Sequence, residues 1–126
     1  MKLRNQSLSS PPFSTYILDN ALEKKKFQKE KLRTSTLAKV DAALSKLSRE
    51  VLFKEAYIFG SLQSPRKFSE YSDIDIGFIG LRDRDFFKAH AFLSRELATD
   101  IDIIQLEEHK FKDKIIRDGI KWKRKN

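Results

Sequence analysis

The chain has 126 residues, enough for one compact domain and too few for two ordinary ones; its 40% hydrophobic and 35% charged residues fit a folded domain with a small core and a heavily charged surface. With no cysteine and only two histidines, disulfides, thiolate zinc sites, cysteine nucleophiles and imidazole-rich metal sites are excluded, so a bound metal is expected to be a hard ion held by oxygen. The net charge of +8 is unevenly spread, with +6 in residues 1–52, −4 in 53–109 and +6 in 110–126, so basic flanks enclose an acidic centre suited to an anionic substrate and a cation.

Residues 1–19, with five prolines and serines between Ser7 and Pro12, lack periodicity and read as an irregular lead-in. Asn20 can cap a helix, with Glu23 in a capping-box relation. The stretch Ala21 to Arg33 is mostly Lys, Glu and Gln and is expected to project from the core. From Thr34 on, Leu37, Val40, Leu44, Leu47 and Val51 recur at three- and four-residue steps, the stripe of a core-facing helix. The division is a basic N-terminal arm and helical extension over 1–33, able to serve in oligomerisation or partner docking, and a domain over 34–126.

Ala56-Tyr57-Ile58-Phe59 is a short strand that hands over at Gly60-Ser61 to a turn or helix. Glycine lets the backbone approach a phosphate closely, and a serine hydroxyl beside free N–H groups adds donors. Arg66 and Lys67, in the loop that follows, are further candidate phosphate contacts. Asp73-Ile74-Asp75-Ile76-Gly77-Phe78-Ile79 alternates, so Asp73 and Asp75 share one face of a strand while Ile74, Ile76 and Phe78 face the core. A helix over 85–97 leads to a third strand, Asp100-Ile101-Asp102-Ile103-Ile104, where Asp102 can join the other two carboxylates if the strands are neighbours. Several carboxylates on one surface suit Mg²⁺, which takes oxygen ligands and keeps some of its water. Asp100 competes with Asp102 for the third place. A last helix from about His109 to Asp118 stops at Gly119, a natural C′ residue, and Ile120-Lys121-Trp122 can pair at a sheet edge. His90, His109 and Trp122 are expected in structural or solvated roles. No run of eighteen apolar residues occurs, and no apolar stretch follows Met1 to Gln6, so the expectation is a soluble, cytoplasmic protein without a membrane partner. The interleaved segments argue one α/β layer structure.

The strand before Gly60-Ser61, the Ser72-Asp73-Ile74-Asp75-Ile76 segment and the Asp100-Ile101-Asp102-Ile103-Ile104 strand together resemble the minimal nucleotidyltransferase family of the DNA polymerase β superfamily. The resemblance covers roughly residues 34–123, including the ending Lys114-Ile115-Ile116-Arg117-Asp118-Gly119-Ile120. It implies the nucleotidyltransferase fold, a small mixed sheet packed by helices, with ATP as substrate and Mg²⁺ as cofactor. Gly60 and Ser61 match the family's phosphate-binding pair, and Asp73, Asp75 and Asp102 its catalytic, metal-binding carboxylates. It further implies an antitoxin paired with a HEPN-type toxin protein, silencing it by transferring AMP to a tyrosine hydroxyl. The sequence departs from the family where Leu62, Gln63 and Ser64 replace its usual arginine and glycine. Two alternatives stand beside this reading: a non-catalytic binding module of the same fold, and a transferase acting on RNA, suggested by the basic termini. A small-molecule transferase ranks last, since a single short domain leaves little to build an acceptor pocket.

Overall fold

The structure is a computed structural model that describes residues 12–65 and 67–124. One helix of 36 residues, α1 (Pro12–Leu47), leads into the strand β1 (Glu55–Phe59), a single 3-10 turn (Gly60–Gln63) and β2 (Ile74–Ile79). Then follow α2 (Asp83–Leu97), β3 (Ile101–Gln105), the short α3 (Lys112–Asp118) and β4 (Ile120–Trp122). The sheet order is β3-β2-β1-β4. β1 is antiparallel to both β2 and β4, and β2 is parallel to β3, the pairing that the α2 crossover allows. This is the mixed α/β architecture expected.

The helical N terminus differs from expectation. The part of the irregular lead-in over 1–11 lies outside the described residues, but from Pro12 the chain is already helical, and Asn20 sits inside the helix rather than capping it. Proline is at home in a first helical turn, and the Lys, Glu and Gln residues after it are good helix formers, so no local signal stops the helix short of its packed end. α1 also crosses the boundary expected between 33 and 34 without a break. Residues 17–29 are all exposed, so this half of α1 does project, displaying Ile17, Leu18, Leu22 and Phe27 among lysines. The apolar stripe outlasts the helix: α1 ends at Leu47, and Val51 is buried from the following turn, its N–H on the Leu47 carbonyl at 3.0 Å.

Strand alternation divides the core in two. Ala56 and Ile58 of β1, Ile74, Ile76 and Phe78 of β2, Ile101 and Ile103 of β3 and Trp122 of β4 form one face, packed on Val40, Leu44 and Leu47 of α1 and Ala89 and Leu93 of α2. Trp122 is therefore a core residue, its ring 5.4 Å from that of Phe53. His90 donates from Nε2 to the Ile101 carbonyl at 2.9 Å and ties α2 to β3. On the opposite face a smaller cluster joins Tyr57, Leu106 and Ile115, so α3 covers only part of that surface. The last helix begins at Lys112 rather than His109, because the His109 ring Nδ1 accepts the Phe111 N–H at 3.1 Å and holds those residues in a turn. Gly119 ends it in extended conformation (φ −72°) rather than left-handed, and a side chain there would stand 2.6 Å from the Ile115 carbonyl oxygen and 3.1 Å from that of Ile58. Crowding by the last turn of α3 first and by β1 second, not a positive φ, is what requires glycine. Among the described residues no helix is long and apolar enough to cross a membrane.

Leu44, fully buried between α1 and the sheet, predicts a loss of about 2–5 kcal/mol for Leu44→Ala. Phe27→Ala, on the half of α1 where Phe27 is 70% exposed, should stay within about 0.5 kcal/mol of wild type. Urea unfolding of the two variants measures both.

Candidate active site

The phosphate-loop candidates sit at the end of β1. Phe59 is extended (φ −135°), and Gly60 then turns with φ +73° into the 3-10 turn, a conformation that L side chains rarely adopt. Leu62, fully buried in the main core, pins that turn to the body of the domain. The site of a Cβ at Gly60 is taken by Oδ2 of Asp75, with Cγ of Asp75 at 3.2 Å. Glycine here brings the backbone of the turn against the carboxylate of the neighbouring strand.

That carboxylate is placed by register. Phe59 of β1 stands opposite Asp75 of β2, and Asp75 pairs with Asp102 of β3. Both aspartates lie on the face opposite Ile74, Ile76, Ile101 and Ile103, since successive side chains alternate across a strand. Asp73 precedes β2 rather than lying in it: strand pairing starts at Ile74, whose N–H donates to the Asp100 carbonyl at 3.2 Å. Asp73 is exposed, in the residue just after a turn closed by the Ser69 N–H on the Ser72 hydroxyl at 3.0 Å. The structure thus brings Asp75 and Asp102 together and sets Asp73 at their margin. Asp100 is exposed at the foot of β3, one pleat before Asp102. Among the described residues no three acidic or histidine side chains converge as a ready-made metal cage.

Asp75 is half-buried, and its carboxyl is pushed up to about 6. Burial is the largest cause, followed by the negative charges of Asp102 and Asp73 and a hydrogen bond with Asp102. Two adjacent carboxylates, one resisting ionisation, form the kind of oxygen-donor pair that a divalent cation would relieve.

A cleft of about 680 Å³ opens beside the turn. Phe59, Gly60, Ser61, Gln63, Ser64 and Lys67 line one side, and His109, Phe111, Lys114, Ile115 and Asp118 the other. Gly60 lines the cleft and touches Asp75, so the cleft and the carboxylate pair meet at that residue. Lys67, an expected phosphate contact, faces this space, whereas Arg66 lies outside the described residues. His109, Phe111 and Lys114 are residues that sequence reasoning did not bring to the site. Their only local signal was an exposed aromatic ahead of a basic helix, and it is α3's docking on Tyr57 and Leu106 that carries them opposite Gly60.

The raised Asp75 carboxyl has a thermodynamic consequence. A folded value near 6 against an ordinary 3.8 means that the proton is held more tightly in the folded state. Relative stability is therefore lost as pH rises from about 4 through 6. In metal-free protein at pH 7.5, Asp75→Asn should raise the Tm by about 2–5 °C, an advantage that shrinks as pH falls from 6 to 4. Mg²⁺ at millimolar concentration should stabilise wild type and leave Asp75→Asn unmoved. Thermal melts across pH, with and without Mg²⁺, measure all three.

Neither a curated protein nor a solved structure matches the chain. The family model described as "Polymerase beta, Nucleotidyltransferase" matches residues 39–126, a stretch that takes in the C-terminal end of α1, the Gly60 turn, both aspartate-bearing strands and the α3 wall of the cleft. The chain belongs to the polymerase beta nucleotidyltransferase family.

Proposed function

We propose that this protein is a Mg²⁺-dependent nucleotidyltransferase working in the cytoplasm, which moves AMP from ATP to a hydroxyl of a partner protein, as the antitoxin of a HEPN-type toxin. The observation that carries the reading is the meeting at Gly60 of a carboxylate pair, Asp75 and Asp102, with a cleft edged by Lys67 and Lys114. The cleft suits a nucleoside triphosphate. Its phosphates would lie towards the Gly60-Ser61 turn between the two lysines, and Phe111, 52% exposed, offers a face for the base.

The donor set fits a hard divalent cation, since Asp75 and Asp102 supply carboxylate oxygens and their mutual repulsion is what a cation would offset. Asp73, exposed beside them, would complete the set. When bound, Mg²⁺ neutralises charge on the phosphate oxygens and polarises the α-phosphorus. The remaining work belongs to the chain. The turn holds the phosphates so that the acceptor oxygen approaches the α-phosphorus in line with the departing pyrophosphate. Asp102, exposed at the open side of the pair, accepts the proton of the attacking hydroxyl. The balance is one P–O bond formed, one broken, and pyrophosphate released.

The partner assignment rests on the family resemblance, supported by the exposed half of α1, where Ile17, Leu18, Leu22 and Phe27 offer apolar anchors among lysines.

Incubation of the co-purified partner complex with Mg²⁺ and ATP labelled at the α-phosphate should label the partner protein. Asp75→Asn should lower the rate by about 10²–10³-fold. A wild type that neutralises its partner yet transfers no label would replace this reading with a non-catalytic binding module; label on RNA ends would replace the acceptor. Phe111→Ala should raise the KM for ATP about tenfold and leave kcat nearly unchanged, as expected for a lost stacking contact.

A further inference from the structure

The phosphate turn lacks a cation of its own. From Gly60 to Pro65 the residues are Gly-Ser-Leu-Gln-Ser-Pro. A 3-10 turn this short leaves its last carbonyl groups without intrahelical partners, and among the described residues the outgoing backbone is tied back weakly, from the Ser64 N–H to the Ser61 carbonyl at 3.4 Å.

Those carbonyls are met from a distant part of the chain. Arg33 of α1 donates from Nε to the Leu62 carbonyl at 2.8 Å and from Nη2 to the Gln63 carbonyl at 3.3 Å. Its third nitrogen, Nη1, donates to Oε2 of Glu30 at 2.8 Å, an ion pair one turn back on the same helix. The Arg33 side chain is only 11% exposed. A planar guanidinium offers several donors in a fixed fork, and here the fork bridges the helix and two consecutive carbonyls of the turn. Leu62 anchors the same segment from the core side, so the turn is held between its own buried leucine and an arginine nearly thirty residues upstream. Because Glu30 offsets the charge of Arg33 locally, what the arginine contributes is position rather than long-range attraction.

We infer that Arg33 is a positioning residue for nucleotide binding: it fixes the Gly60–Gln63 turn so that Gly60 and Ser61 face the cleft, and thereby makes the helical extension part of the triphosphate site. The inference rests on the nucleotidyl-transfer reading. It also implies that the matched span 39–126 is incomplete without Arg33.

The test uses the full chain. Affinity for Mg²⁺·ATP is measured by calorimetry for wild type, Arg33→Lys and Arg33→Met, and KM and kcat wherever transfer is observed. Arg33→Met should weaken ATP binding about tenfold and raise KM by the same factor, with kcat within about threefold. Arg33→Lys keeps the charge but not the fork and should recover only part of the affinity. Affinity equal to wild type in Arg33→Lys, or in a folded Arg33→Met, would overturn the role assigned to Arg33. Should Arg33→Met melt below the assay temperature, the Arg33→Lys comparison decides alone. A wild type that binds no Mg²⁺·ATP would instead overturn the nucleotidyl-transfer reading itself, which the calorimetry of wild type alone reveals.

Discussion

The parallel register of β2 and β3, which sets Asp75 beside Asp102, is the constraint on which the rest of the molecule depends. Burying one of two adjacent, mutually repelling carboxylates is costly, and burial first and repulsion second raise the Asp75 carboxyl. The opposite face of the same strands offsets that cost. Ile74, Ile76, Ile101 and Ile103 are all buried in the main cluster beneath α1 and α2, and a slip of one residue would turn isoleucines to solvent and aspartates to the core. The large buried face therefore holds the small charged face in place.

The uneven cover of the sheet makes room for a site. α1 and α2 close one face, whereas α3, only 7 residues long, closes just part of the other, over Tyr57 and Leu106. What α3 leaves open is the end of the sheet where Gly60, Asp75 and Asp102 lie. The same short helix forms the far wall of the cleft with Lys114 and Ile115 and follows the turn that carries His109 and Phe111. One element thus supplies both packing and a wall of the cleft. At the other end of that face, the Tyr57 hydroxyl donates to Glu55 at 2.9 Å and Lys121 pairs with Glu55 at 3.2 Å, which holds Glu55 below its usual carboxylate range. The charges there are mutually satisfied, in contrast to the crowded aspartates.

α1 carries two different tasks along one continuous helix. Its C-terminal half is core, through Val40, Leu44 and Leu47, while residues 17–29 are exposed. Arg33 and Glu30 stand at the transition, and the arginine reaches the Gly60 turn. The same continuous helix thus carries the exposed half, the core stripe and the arginine that holds the Gly60 turn.

The α/β class, the alternation of β2 and β3, the core stripe of α1 and the pairing of β4 at an edge were legible in the residues, because periodicity and turn chemistry are local properties. Asp75 and Asp102 were legible as facing away from the apolar side of their strands, since a period of two dictates it. Three features were not. The start of α1 was misread because proline and serine punctuate many loops, yet proline is also compatible with a helix's first turn, and only the continuity of the packed helix resolves the ambiguity. The separation of Asp73 from the strand depends on where pairing with β3 begins, a matter of hydrogen bonds between distant segments. The contributions of His109, Phe111, Lys114 and Arg33 rest on which helix docks against which strand and how far its side chains reach. Sequence by itself determined the periods, the faces and the residue types able to do the chemistry; the tertiary structure alone decided which of them come together around the Gly60 turn and its cleft, because proximity across the fold is set by packing and not by local pattern.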